Sequence, residues 1–398
     1  MAFLQTQANL ISIGILAGYM AFMMGANDVA NSMGTSVGSK ALTLVKAIAI
    51  AGVMEFAGAV LFGQNVSNTI ATGIVRAEMF QFRPQSLMLG MIAVLLACAL
   101  WLNFANWRGL PVASSHAIVG ALVGFGWYAQ GNGAVNWQQV GGITLAWILT
   151  PLFSGALAYI FLKLIQIWIF EVNLQEWMPW LSACVFGSIA LTLSSSIDSQ
   201  IPLYWVVGGG SIASLGFTAW LWWRSEQSIS SVFGQLQILS ASFVAFAHGS
   251  NDVGHSIAPL AVAVELATTG VVPMSQKLEI PLWILILGGI GIVLGLSILG
   301  SRVITTVGTE ITLIETKSGF AAELATALTI LMASSLAIPA STTHALVGAV
   351  IGVGLVQGAE AINFKLLQKV ALAWLVTIPI AALLAAGLYA GLSLLMPV

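Results

Sequence analysis

The sequence predicts an all-α polytopic membrane protein assembled from two structural repeats, and three observations carry that reading. Of the 398 residues, 59% are hydrophobic and only 7% are charged, with a mean hydropathy of +0.98; a water-soluble domain carries roughly 25% charged residues. Apolar stretches of about twenty residues, the length that crosses a bilayer as a helix, recur from one end of the chain to the other. An ordered set of polar blocks also occurs twice.

The first block is Gly25-Ala-Asn27-Asp28-Val-Ala-Asn31-Ser32, directly after the apolar run Leu10–Met24. A carboxylate at membrane depth costs roughly 2.5–3.5 kcal/mol on insertion scales, so Asp28 reads as functional. A single occurrence could equally cap a following helix. The pattern returns as His248-Gly-Ser-Asn251-Asp252-Val-Gly-His255-Ser256 after a second apolar run, Leu239–Ala247, and two occurrences in matching surroundings argue against a mere cap. In this reading the apolar segment ends at the motif, and its backbone unwinds there.

Taken in order, a Gly/Ser/Thr-rich stretch from Gly34 to Lys40 leads to a helix from about Val45 to Gly63 that carries Glu55. Gly58 and Gly63 mark close helix packing. After a polar turn with Arg76, Glu78 and Arg83 comes the span Leu87–Phe104. Next, Pro111-Val-Ala-Ser114-Ser115-His116 opens an apolar stretch of about ten residues, too short to span alone. This predicts a re-entrant helical hairpin near 107–128, irregular at its tip and therefore lining a cavity. Further spans follow at Gly141–Ile169, where Pro151 should kink the helix, and near Trp180–Leu193 and Ile201–Trp223.

The second half reruns the first. Gly295 to Val303 echoes Gly58 to Val66. A segment with Glu323 follows, and Ile338-Pro-Ala-Ser341-Thr342-Thr343-His344 matches the first hairpin, which puts the second near 335–356. Leu145-Ala-Trp147 returns as Leu372-Ala-Trp374. The organisation is 1–223 as the first repeat with connecting helices, 224–231 as a short hinge and 232–398 as the second repeat, with no sign of separately folding domains. Paired, interrupted short segments at matching points of two halves point to a secondary transporter's binding site. Hydropathy counts about six or seven crossings between the two halves, which leaves open whether they run parallel or inverted.

Composition excludes other classes. A net charge of −2 with no basic patch gives nothing for nucleic acid to bind. The fourteen tryptophans, several beside polar turns, suit interfacial anchoring. Cys98 and Cys184 sit in apolar segments and read as packing residues. The first residues lack a basic region, so no cleavable signal is expected. No nucleophile elbow accompanies Ser115-His116 or Thr343-His344, and the Asp pair comes with features hydrolysis does not need; an enzyme is therefore disfavoured. A channel would share the site but not the coupling.

Brought together, the blocks supply carboxylates (Asp28, Asp252), amides (Asn27, Asn31, Asn251), hydroxyls (Ser114, Ser115, Ser341, Thr342, Thr343) and imidazoles (His116, His344). No Arg or Lys lies within any block; Arg108 precedes one and Lys40 trails another. Hairpin helix starts form an anion cradle of free N–H groups, while carboxylate, amide and carbonyl oxygens suit Na⁺. An anion beside two carboxylates needs co-bound cations, which points to cation-coupled symport. Phosphate suits such a site better than sulfate, since hydrogen phosphate also has a proton to donate. His116 and His344 are read as either proton-coupling or structural. His248 and His255 carry less weight, the first half having Gly25 and Ser32 at those places. Glu55 and Glu323 read as ion-path residues, although Glu55 meets Ile292 rather than an acid in the other half.

The stretch Gly25 to Ser39, its partner Gly249-Ser-Asn-Asp-Val253 and the two Pro/Ser/Thr/His blocks resemble the signature of the inorganic phosphate transporter (Pit) family, over nearly the whole chain. The resemblance implies two inverted structural repeats with broken helices, two re-entrant helical hairpins, homodimers, and uptake of inorganic phosphate driven by Na⁺ or H⁺ across the plasma (inner) membrane, with no further cofactor. It implies phosphate positions at Asn27, Asp28, Ser114, Ser115, Asn251, Asp252, Ser341, Thr342 and Thr343. The surroundings of Glu55 and Glu323 resemble the Na⁺-coupled branch, so Na⁺ is expected at Asn27, Asp28, Asn31, Glu55, Asn251, Asp252 and Glu323. Two departures stand out: the long hydrophilic loop of many members is replaced by a short turn near Arg224–Ser231, and Ala113 and Ala340 occupy positions where Ser is common in the first hairpin and its counterpart. An oxyanion permease that takes sulfate, and an H⁺-coupled phosphate permease, are the alternatives within the family.

Overall fold

The computed structural model of the chain describes residues 2–110, 112–171, 174–194, 203–223, 228–273, 278–301, 304, 314–358, 360 and 362–396. Among these are thirteen α-helices and no β-strand. They are α1 (Ala2–Gly38), α2 (Leu44–Phe62), α3 (Gln64–Gly73), α4 (Pro84–Arg108), α5 (Ser114–Gln130), α6 (Trp137–Glu171) and α7 (Leu174–Ser194). Then follow α8 (Leu203–Trp223), α9 (Ile229–Thr269), α10 (Leu282–Ile298), α11 (Thr316–Ser335), α12 (Thr342–Gln357) and α13 (Phe364–Leu395). Seven of these helices are long and apolar enough to cross a membrane. Helices are the answer an apolar chain must adopt in lipid, because they satisfy every backbone group internally.

Two expectations about local structure are corrected. The helices do not unwind at the Asn-Asp motifs: α1 runs 37 residues and α9 41 residues straight through them. Asn and Asp cost a helix interior only about 0.5–0.7 kcal/mol each, and here their side chains find partners on other helices, so nothing forces the backbone open. The chain is interrupted instead at Gly63, between α2 and α3, and at the hairpin tips. The second limbs of the hairpins, α5 and α12, are 17 and 16 residues long rather than about ten. Their inner glycines, which break the apolar pattern in the sequence, are packing surfaces that let the helix continue. Arg224–Gln227 of the predicted hinge, Pro111 of the first tip and Arg302–Val303 lie outside the described residues.

The duplication is realised as an exchange of helices between halves. α1 packs on α10 and α9 on α2; α5 packs on α13 and α12 on α6. Glycines set each contact. A Cβ on Gly249 would stand 2.0 Å from the Glu55 carbonyl oxygen, and one on Gly25 would stand 2.2 Å from that of Ile292. Gly58 faces the Phe246 carbonyl as Gly295 faces that of Phe22, and Gly63 meets Val253 as Gly300 meets Val29. Gly120 and Gly124 lie on Ile378 and Ala382, and Gly348 and Gly352 on Pro151 and Gly155. The Gly58/Gly63 and Gly295/Gly300 correspondence read from sequence is thus one of contacts. Without a hydrophobic drive between helices in lipid, such close backbone approach is what dispersion and packing can use. Cys98 is buried in this core, whereas Cys184 is exposed on α7.

Gly58→Ala and Gly249→Ala should each lower the thermal midpoint of the purified protein, through overpacking worth about 1–3 kcal/mol or more. Gly14→Ala, with nothing within 4 Å of the added carbon, should leave it unchanged.

Candidate functional site

The site forms where the midpoints of α1 and α9 meet the tips of the two helical hairpins. Each motif begins with an amide that fastens a hairpin. Asn27 Nδ2 donates to Asn106 Oδ1 at 2.6 Å and to the Leu110 carbonyl at 3.3 Å. Asn251 Nδ2 donates to Ser334 Oγ at 3.1 Å and to the Ile338 carbonyl at 3.2 Å. Leu110 and Ile338 each precede the hairpin proline, so both loops hang from the long helices by equivalent bonds.

The next residue of each motif supplies the charge. Asp28 and Asp252 are both 1% exposed, and His248 stands between them. Its Nε2 is 2.9 Å from Asp252 Oδ2 and 3.8 Å from Asp28 Oδ2, and its Nδ1 is 3.1 Å from Glu55 Oε2. Both ring nitrogens therefore face carboxylate oxygens, an arrangement an imidazolium satisfies. Glu55 Oε1 accepts a bond from Ser32 Oγ at 3.1 Å. Asp28, His248 and Asp252 present ligand atoms within 4.8 Å of one another, a set that could hold a metal ion.

The hairpin helices deliver their N-termini to the same place. Thr342 Oγ1 donates to Asp252 Oδ2 at 3.1 Å. Ser114 Oγ also lies 3.2 Å from His255 Nδ1, and Asn31 Nδ2 donates to Thr343 Oγ1 at 2.9 Å. Ser341 caps its own helix by accepting the His344 N–H at 3.2 Å, while Ser115 Oγ is buried without a partner among the described residues. The first-turn amides of Ser114, Ser115, Thr342 and Thr343 are groups that an α-helix leaves free of carbonyl partners, with the positive end of the helix dipole behind them.

His116 and His344 interlock the tips. Their rings lie 4.7 Å apart, edge to face. His116 Nδ1 binds the Trp374 carbonyl at 3.1 Å, and His344 Nδ1 binds that of Trp147 at 2.9 Å. The Trp147 carbonyl is the one left unpaired when Pro151 removes an N–H four residues on, so His344 repairs a break in α6. These contacts give both histidines a structural part.

Glu323 stands apart. Its carboxylate accepts bonds from Thr35, from Ser36 at 2.7 Å, from Gln237 at 3.2 Å and from Ser240 at 2.9 Å. Ser36 lies two helical turns beyond Asp28 on α1, about 11–12 Å along the axis. Glu55 thus joins the central cluster, whereas Glu323 forms a second buried polar cluster on one side of it. The flanking cations do not enter: Lys40 and Arg108 are exposed, and the Arg108 guanidinium lies over Trp107 at 5.1 Å.

His248 and His255 are the residues underweighted by sequence. Registering the two motifs on Asn-Asp pairs them with Met24 and Asn31, not Gly25 and Ser32, and that alignment was the available signal. The cluster holds three buried carboxylates beside the imidazoles of His248 and His255. Two like charges 4 Å apart at an effective dielectric of 20 repel by about 4 kcal/mol, so a cation beside the carboxylates would ease the approach of an anion to the helix starts.

Three comparisons place the chain among known proteins. The model of the phosphate transporter family matches residues 24–385. A protein of Thermococcus kodakarensis provisionally named a phosphate permease is 38% identical, over 95% of this chain and 96% of its own length. The chloroplastic inorganic phosphate transporter 2-1 of Arabidopsis thaliana is 36% identical over 92% of this chain and 69% of its own. A solved structure titled "The sodium-dependent phosphate transporter" superposes with a TM-score of 0.90 at 39% identity, covering 98% of this chain and all of that one. With its sequence matched to the family over residues 24–385 and its fold matched to a solved member along nearly the whole length, the chain belongs to the phosphate transporter family, a family of transporters and not enzymes.

Proposed function

We propose that the protein is a Na⁺-coupled symporter that takes up inorganic phosphate by alternating access. The observation that carries this reading is the meeting of two hairpin N-termini with Asp28 and Asp252 in a buried centre that contains no lysine or arginine among the described residues. The helix starts and the hydroxyls of Ser114, Ser115, Thr342 and Thr343 take the phosphate oxygens, with Asn27, Asp28, Asn251, Asp252 and Ser341 around them. Na⁺ ions bind oxygens of Asn27, Asp28, Asn31, Glu55, Asn251 and Asp252, with Glu323 on their path, and supply the charge the anion lacks. Na⁺ is favoured because the solved structure 39% identical to this chain is titled sodium-dependent.

The reading includes two inverted repeats, 1–223 and 232–398 about a hinge at 224–231, since exchange of equivalent helices between halves is what alternating access by rocking repeats requires. It also includes a homodimer in the lipid of the plasma (inner) membrane. A second reading, H⁺ coupling, draws support from His248, an imidazole held between carboxylates of both halves; a sulfate-type oxyanion permease is distinguished by competition.

Uptake of labelled phosphate into proteoliposomes under an inward Na⁺ gradient, against an equal K⁺ gradient and with excess cold sulfate, tests the reading. Uptake that needs Na⁺ and ignores sulfate is expected; uptake driven by external acid alone would overturn Na⁺ coupling. Asp28→Asn and Asp252→Asn should each cut coupled uptake by about 100-fold or more, the scale of breaking a buried charge constellation, while the proteins remain folded by size exclusion. His248→Gln should reduce uptake at least about 10-fold by leaving Asp252 and Glu55 without their shared partner. Wild-type rates in all three variants would remove the site.

A further inference from the structure

The end of α4 carries polar groups on an open face where a membrane helix should be apolar. Asn103, Phe104, Trp107 and Arg108 share one side of its last turns and all four are exposed, Trp107 by 74%. Asn103 donates to the hydroxyl of Tyr19, itself exposed on α1. The Arg108 guanidinium lies 5.5 Å from the Phe104 ring centre and 5.1 Å from that of Trp107, and it makes no ion pair among the described residues. This face lies at the depth of the site. Asn103 meets Tyr19, and Asn106 meets Met23 and Asn27, so α4 runs parallel to α1 and ends beside its Asn-Asp motif. From there the 17 residues of α5 lead back about 25 Å toward the start of α1. In the other direction α1 continues from Asn27 to Gly38, about 16 Å of helix. Arg108 therefore sits deep within a hydrocarbon core about 30 Å thick.

An arginine at that depth is costly against lipid and faces the bundle interior or a water-filled cavity. Toward the start of α1 the same flank turns apolar, with Leu100, Ile15 and Ile11 exposed by 48%, 67% and 63%; that part suits lipid. Water must then reach Arg108 from the opposite end, where α1 gives way to the exposed Lys40. We infer that the first hairpin tip closes a water-filled vestibule open toward the Lys40 end of α1, and that Arg108 is the point in it where phosphate docks on its way to or from the site. Stacking over two aromatic rings holds the guanidinium plane and leaves its edge N–H groups free, the fork that matches phosphate oxygens. Arg108 stands six residues before Ser114, the start of α5. The centre itself presents carboxylates to an approaching anion, so a positive charge at its mouth is what draws the anion to the helix start. The role given to Arg108 rests on the reading of the chain as a phosphate transporter; the vestibule does not.

Two measurements on the full-length protein in proteoliposomes test this. The first is labelling by a charged methanethiosulfonate supplied on both faces, in a Cys184→Ser background because Cys184 is exposed whereas Cys98 is buried. Arg108→Cys should react at least about 10-fold faster than Leu100→Cys, since only a thiol in water ionises and meets the reagent. Trp107→Cys should behave like Arg108→Cys and decides the matter if that variant fails to fold. Thiols at 107 and 108 no more reactive than one at 100 would place the whole face in lipid or under a second copy and overturn the vestibule. The second measurement is phosphate uptake. Arg108→Gln should raise KM for phosphate about 10-fold, the low end of what a charged cleft adds to association, with kcat within about twofold and a flatter dependence on ionic strength. Arg108→Lys should restore most of the loss. An unchanged KM, or a fall in kcat alone, would overturn the role of Arg108. A wild-type protein that takes up no phosphate would end the phosphate reading and that role with it, while the labelling still decides the vestibule.

Discussion

Two side-chain amides hold the centre of this protein in place. Asn27 and Asn251 sit inside uninterrupted helices, yet each spends its Nδ2 on the loop in front of a hairpin, reaching the carbonyls of Leu110 and Ile338. Those loops have irregular backbone between apolar helices, which a membrane protein tolerates only where protein satisfies it. The bond therefore does two things at once. It satisfies a carbonyl that lipid could not, and it fixes the start of the short helix behind it opposite the Asp that follows in the same motif. The positions of Ser114, Ser115, Thr342 and Thr343 all derive from it.

The central charge arrangement follows from what surrounds that frame. Three carboxylates and the imidazoles of His248 and His255 lie in a core whose nearest flanking cations are turned outward. The helix N-termini attract an anion, and the carboxylates repel it at close range. Neither effect alone makes a useful site. A cation held beside the carboxylates would ease that conflict.

Much of this was legible in the sequence. Composition and apolar length set the class, and the repeated Asn-Asp and Pro/Ser/Thr/His blocks pointed to the residues that the fold brings together, because isolated polar residues in so apolar a chain carry a large energetic signal. The breaks in the helices were misplaced. Asn and Asp are weak helix formers in isolation, and the partners that keep them helical at 27–28 and 251–252 lie 79 to 87 positions away. The role of His248 was likewise hidden, since its carboxylate partners come from three different helices, α1, α2 and α9. Glu323 was read as an ion-path residue, and nothing local showed that its hydroxyl partners come from α1 and α9.

The exchanged packing of α1 on α10 and α5 on α13 has a consequence for synthesis. When the first half has entered the membrane, Gly25, Gly58, Gly120 and Gly124 have no carbonyl surface to meet, because Ile292, Phe246, Ile378 and Ala382 have not yet been made. The nascent half must wait with shallow grooves filled by lipid and with Asp28 and Glu55 short of their imidazole. Assembly is thus concerted late in translation, and the interval before α9 arrives is when a membrane chaperone or protease would find the chain unfinished.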